Sequence, residues 1–168
     1  MKKCVILVGH GGVPSDAPRN LVEEFKRLEA RAPGSPEMLE ADRRLRALPR
    51  TPQTDPYKAG LEKISEALRK EMPDSMVLEA YNEFCAPSLE ESFEIALERG
   101  MREITVISTM FTRGGIHSEK EIPDILAKLS KLHPQIAIRY VWPFDLTTIA
   151  KMISSEINRV ESQPILAR

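Results

Sequence analysis

The segment Cys4-Val5-Ile6-Leu7-Val8 is continuously apolar, rich in β-branched residues, and runs straight into Gly9-His10-Gly11-Gly12. An unbroken apolar run of strand length signals a strand buried on both faces, at the centre of a parallel sheet. The glycines that follow permit a sharp turn at its carboxyl end. A parallel strand needs crossover connections, so the rest of the chain must supply helices for both faces of the sheet. Three further strands are expected at Met76–Tyr81, Ile104–Ser108 and Ile136–Val141, the last with Arg139 marking a sheet edge. The expected fold is α/β: an open, mostly parallel four-stranded sheet with helices on both faces.

The helices have readable ends. Thr54-Asp55-Pro56 supplies a cap and an N1 proline, after which Tyr57, Leu61, Ile64 and Leu68 recur at helical spacing over 56–72. Ser88-Leu89-Glu90-Glu91 is a capping box, opening a helix that carries Phe93, Ala96 and Leu97 and stops at Gly100. Asp145 is expected to cap a last helix with one apolar stripe, Leu146, Ile149, Ile153, Ile157 and Val160. Ser118 to Glu121 matches a capping box as well, although Pro123 would then lie deeper than N1. Residues 14–56 break the alternation: they hold seven of the 13 prolines and no credible strand. The expectation is one domain over residues 1–168, with a proline-rich helical insertion at 14–56 built from helices at Asn20–Arg31 and Pro36–Leu48. The second of these carries Arg43, Arg44 and Arg46, with Arg50 just beyond. A solvated helix face accounts for that basic cluster; a lid or docking patch for an acidic ligand is the sharper reading.

Composition closes off several function classes. Lys plus Arg number 24 against 25 Asp plus Glu, a net charge of −1, so neither phosphate backbones nor anionic lipid attract the chain as a whole. The longest apolar run has five residues, too short for a membrane span or a secretory segment, and a cytoplasmic location is expected. Cys4 and Cys85 are too few for a disulfide framework or a zinc cluster, and both read as core.

Chemistry in an open parallel sheet gathers beyond the carboxyl ends of the strands. His10 follows the first strand, Glu83 the second, and Thr112-Arg113-Gly114-Gly115-Ile116-His117 the third. Two imidazoles and a carboxylate on one edge suit a borderline divalent transition metal and leave coordination positions for a substrate. His133, at a helix end before Pro134, is explained by the helix dipole. Rival readings lose on particular residues. GHGGVPSD is neither GxxxxGK[ST] nor GxGxxG, Gly9 stands where a histidine phosphatase resembles Arg-His-Gly, and no GxSxG occurs.

The succession VILVGHGG, NEFCAPSLEES, FTRGGIHSEKEIPDIL and VWPFDLTTIAKMI resembles the class II tetrapyrrole chelatases, above all the short sirohydrochlorin cobaltochelatase type. The resemblance covers residues 1–13 and about 74–160. Its strongest piece is Gly115-Ile116-His117 followed by Glu121-Ile122-Pro123, which looks like G-x-H-x-x-x-[DE]-I-P. It implies a flavodoxin/chelatase-like sheet and insertion of Co(II), or of Ni(II) or Fe(II), into sirohydrochlorin, the metal being a substrate and no cofactor being permanently bound. It further implies His10 and His117 as metal-binding and catalytic residues with Glu83 as the associated carboxylate. For the carboxylate-rich tetrapyrrole it suggests Gly11, Gly12, Thr112, Arg113, Gly114, Gly115 and Lys120 as contacts. A single copy of a module that longer relatives carry twice implies a homodimer. The resemblance implies that 14–56 is an addition to the short type. A non-catalytic metal or tetrapyrrole carrier that keeps the same site is the alternative.

Overall fold

The computed structural model describes residues 2–163. Four strands, β1 (Lys3–Gly9), β2 (Ser75–Tyr81), β3 (Glu103–Ser108) and β4 (Ala137–Val141), form one sheet in the order β2-β1-β3-β4. All three pairings are parallel, with Val5 opposite Val77 and Thr105, and Ile104 opposite Ile138. The sequence expectation for the sheet holds, including β4 at the edge, where exposed Arg139 pairs with Glu103.

Alternation along β1 divides the core. Cys4, Ile6 and Val8 face one layer, packing with Phe93 and Ala96 of α4 (Leu89–Glu98) and Ile122, Leu126 and Leu129 of α5 (Ile122–Leu132). Leu7 faces the other layer, against Leu61 of α3 (Pro56–Glu71), Tyr81 and Cys85. Asp55, Ser88 and Asp145 cap their helices as expected, the Ser88–Glu91 capping box is complete, and Gly100 is left-handed at φ 74°. The α3 stripe is only half right. Leu61 and Ser65 are buried, whereas Tyr57 and Ile64 are exposed, because α3 touches the sheet along a narrow line at β2 and the end of β1.

Two helices, α1 (Arg19–Arg31) and α2 (Pro36–Arg46), fill most of 14–56 and form a small core of their own. Leu21, Phe25, Ala41 and Leu45 are buried there, with Phe84 packed against them. The last helix, α6 (Leu146–Glu161), has no buried residue. None of the described helices is long and apolar enough to cross a membrane.

Candidate metal centre

Parallel pairing continues past the ends of the strands and sets the first two donors side by side. The amide of Asn82 donates to the carbonyl of Gly9 (2.9 Å) and that of Glu83 to the carbonyl of His10 (2.8 Å). Contact is too close for a side chain at two points. A Cβ on Gly9 would lie 2.7 Å from Leu61 Cδ2, and one on Gly11, at φ 94°, would lie 1.9 Å from the Glu83 carbonyl oxygen. Glycine is therefore required at Gly11 on both steric and conformational grounds. On the α3 side, the His10 amide donates to the Tyr57 hydroxyl at 2.7 Å.

The third donor arrives on the loop after β3. Ser108 Oγ accepts the Met110 amide, Ser118 Oγ donates to the Met110 carbonyl, and Tyr140 Oη donates to the Ser118 carbonyl. Ser118 is thus spent on tethering the loop, and the expected capping box at 118–121 does not form. Instead a single π-helical turn, His117–Glu121, leads directly into α5, with Pro123 inside the first turn of the helix. Such turns are rare and often mark functional sites.

His10, Glu83 and His117 each offer a donor atom, and the three atoms lie within 4.8 Å of one another. His10 Nε2 is 3.7 Å from Glu83 Oε2, His117 Nε2 is 3.7 Å from Glu83 Oε1, and the imidazole rings meet edge to face at 4.9 Å. Metal bonds of about 2.0–2.1 Å at tetrahedral angles put neighbouring donors roughly 3.3–3.4 Å apart. The two histidine–carboxylate contacts thus lie within a few tenths of an ångström of ligand spacing, and the full set, spread over up to 4.8 Å, draws in around an ion. Partial exposure, 43% for the His10 side chain against 17% for His117, leaves one flank open.

The tautomers follow from the partners. His10 Nδ1 lies 2.9 Å from the Gly11 carbonyl, which only accepts, so Nδ1 carries the proton and Nε2 the lone pair. His117 Nδ1 lies 2.7 Å from both Glu121 Oε2 and Asn82 Nδ2. The carboxylate only accepts, so pairing with it puts the proton on Nδ1, and Asn82 Nδ2 donates to the same Glu121 oxygen at 2.8 Å. Both Nε2 lone pairs therefore aim at the space beside Glu83. Burial would raise the Glu121 carboxyl, but the hydrogen bonds from Asn82 and His117 and the nearby imidazoles hold it below the ordinary range. This carboxylate–histidine pairing is a familiar support for a metal-binding imidazole. In the sequence Asn82 and Glu121 stand only as parts of motifs, and Tyr57 only as part of a helical stripe, with nothing to mark any of them as a partner of the donors.

The remaining candidates fall into two groups. Thr112, Arg113, Gly114 and Gly115 line, with Met110, His117 and Ser118, an open cavity of ≈390 Å³ beside the donors. Lys120 is exposed, Gly11 is buried and Gly12 half-buried. Neither Arg113 nor Lys120 is ion-paired among the described residues. His133 stands away from the cluster, 3.5 Å from Glu94 at the end of α5. Burial pushes the Cys4 thiol up to about 11 and raises that of Cys85, so neither supplies a thiolate at neutral pH.

Three solved structures share the fold at low sequence identity. The sirohydrochlorin chelatase SirB from Bacillus subtilis subspecies spizizenii, in complex with cobalt, aligns with a TM-score of 0.57 at 16% identity, over 95% of this chain and 51% of that one. SirB from Bacillus subtilis with Fe3+ gives 0.51 at 16%, over 98% and 49%. A cobalamin (vitamin B12) biosynthesis CbiX protein from Marinobacter aquaeolei VT8 gives 0.52 at 19%, over 96% and 99%. The chain thus spans about half the length of the SirB proteins and nearly all of the Marinobacter one. No curated protein sequence matches it. The CbiX family profile matches residues 53–160, a stretch that holds Glu83 and His117 but stops short of His10. That match takes in well over half of the sequence, and the chain belongs to the CbiX family.

Proposed function

We propose that this protein is a metal chelatase that inserts a divalent ion into a tetrapyrrole such as sirohydrochlorin, with loss of two pyrrole protons. The observation that carries the reading is the convergence of His10, Glu83 and His117 at the open carboxyl edge of the sheet. Three donors are enough to strip and hold an ion on one side and too few to enclose it, so the ion can be handed on. In this scheme the imidazoles present the metal, Glu83 between them receives one pyrrole proton, and an imidazole freed as the ion is handed on receives the other. Arg113 and Lys120, both unpaired among the described residues, and the backbone of Gly11, Gly12 and Thr112–Gly115 would meet the carboxylates of the macrocycle. Phe111 stands in sequence between the cavity-lining Met110 and Thr112, and Phe144, Trp142 and Tyr140 follow it at centroid spacings of 6.3, 6.0 and 6.4 Å. An aromatic rim of this kind suits a flat conjugated ligand.

Co(II) is the first choice of metal, with Ni(II) and Fe(II) next. Affinity order alone does not select among them, and the SirB structures hold cobalt in one case and Fe3+ in the other. The functional unit in this proposal is a homodimer, supported by the uncovered apolar face of α6.

Sirohydrochlorin absorbance followed with Co(II), Ni(II) and Fe(II) tests the activity. Metal insertion is expected above the uncatalysed rate with at least one ion, and loss of at least about a hundredfold in His10→Ala and His117→Ala, the scale of a removed acid–base group. No acceleration with any of the ions would sink the proposal. Undiminished rates in both variants would overturn the site.

A further inference from the structure

Glu83 sits in a segment whose amides are held by neighbouring backbone but whose carbonyls are held almost entirely by two arginines from outside the family match. Arg46, the last residue of α2, donates from Nη1 to the Cys85 carbonyl (2.8 Å) and the Tyr81 carbonyl (3.3 Å). Its Nη2 donates to the Asn82 carbonyl (2.8 Å), while Asp42 fixes its Nε at 2.7 Å. Arg50 donates from Nη2 to the Phe84 carbonyl, and from Nη1 to the Gly12 carbonyl (2.7 Å) and to Asp55. Between Tyr81 and Cys85, four of the carbonyls thus end on these guanidinium groups. The fifth, that of Glu83, accepts the Cys85 amide.

This loop is also strained. Phe84 is a non-glycine residue at φ 58°, a conformation that persists only when its surroundings impose it. Here Phe25 of α1 packs edge to face on its ring at 5.6 Å, and Arg50 takes its carbonyl. Arg50 does more than hold one loop. Its guanidinium bridges Gly12, two residues after His10, and Phe84, one residue after Glu83. The Arg50 side chain is 5% exposed and faces Asp55 at 3%, so the bridge is buried and its charge compensated.

We infer that Arg46 and Arg50 are positioning residues: through the carbonyls of the two loops they fix the spacing of Glu83 from His10, and so tune the geometry offered to the metal. On this account the helical pair α1–α2 is a brace for the metal centre, and its basic residues divide by role. Arg43 and Arg44 lie on the surface, paired with Glu40 and Glu24; Arg46 and Arg50 turn inward. The inference rests on the proposed metal site, and the test separates the two.

Co(II) is titrated into the full chain without tetrapyrrole, following its visible d–d absorption, for wild type, Arg46→Gln, Arg50→Lys and Arg43→Gln. Thermal unfolding of each apo protein is recorded alongside. Arg50→Lys keeps the charge beside Asp55 while giving up the fork that spans two loops. Arg46→Gln, at a partly exposed site, carries the test if Arg50→Lys does not fold. Folded Arg46→Gln and Arg50→Lys are expected to bind Co(II) about 10-fold or more weaker, with a shifted band, as when outer-sphere partners of a metal site are removed. Arg43→Gln should match wild type. Unchanged affinity and spectrum in the folded variants, even with lowered melting temperatures, overturns the brace. A wild type showing no protein-bound Co(II) spectrum overturns the metal site itself.

Discussion

His117 is usable as a ligand only because of what touches its other nitrogen. Glu121 stands four residues on, across the π-helical turn, and the 2.7 Å contact to Nδ1 leaves Nε2 free beside Glu83. Glu121→Gln retains the shape but can present an amide nitrogen, which donates where an acceptor is needed. Metal affinity is expected to fall about 10–100-fold in an equilibrium titration, with the fold intact; affinity equal to wild type would remove Glu121 from the centre. The folded-state pKa of Glu121 is depressed, so its stabilising contribution is present above the ordinary carboxylate pKa and lost as pH falls through the lower folded value. The three donors were legible in the sequence because each follows a strand, and the ends of parallel strands share an edge. Asn82 and Tyr57 were not. Asn82 reaches Glu121 over 39 positions and Tyr57 reaches the His10 amide over 47, and no local pattern encodes such meetings.

At the scale of elements, hydrophobic run length and capping chemistry located the four strands and the helices other than α5 to within a few residues. They failed where a polar side chain had a tertiary use. Ser118 looks like a cap and is a tether; Arg46 and Arg50 look like solvated charge and turn inward onto carbonyls. The end of β4 is a further case. Tyr140, Trp142 and Phe144 alternate out of the strand into the loop, and together with Phe111 they form an aromatic rim at the loop after β3, where Tyr140 holds the carbonyl of the cavity-lining Ser118. An offset or edge-on aromatic contact contributes about 0.5–1.5 kcal/mol, roughly a 2–10-fold change in binding. Trp142→Ala should therefore raise the tetrapyrrole KM by about that factor while leaving kcat near wild type, since the ring is not placed to exchange protons. A fall in kcat with unchanged KM would show that the rim does not hold the macrocycle.

The whole molecule has an apolar surface without a use inside one chain. On α6 the stripe read from the sequence is real, but it faces solvent: Leu146 is 74% exposed, Ile153 45%, Ile157 50% and Val160 55%, with Met152 beside them. Of the residues of α6, only Ile149 is half-buried. A parallel sheet requires cover on both faces, yet the exposed residues of edge strand β4 include Ala137 and Val141, and α3 leaves an open groove lined by Tyr57, Leu61, Ile64 and Met110. An unpaired apolar helix and an unpaired apolar groove on the same chain offer a second copy complementary surfaces for the homodimer proposed above. Burying one such aliphatic side chain contributes about 1.5–3 kcal/mol, so a stripe of this length outweighs the entropy of association only if most of it is covered. Light scattering at micromolar concentration should then give twice the chain mass of 19.0 kDa for wild type. The double variant Ile153→Asp, Ile157→Asp should give 19.0 kDa with its β-sheet signal intact, because neither residue contributes to the core of its own chain. A wild type that is already monomeric would remove the dimer. A double variant that stays dimeric would place the interface elsewhere on the surface.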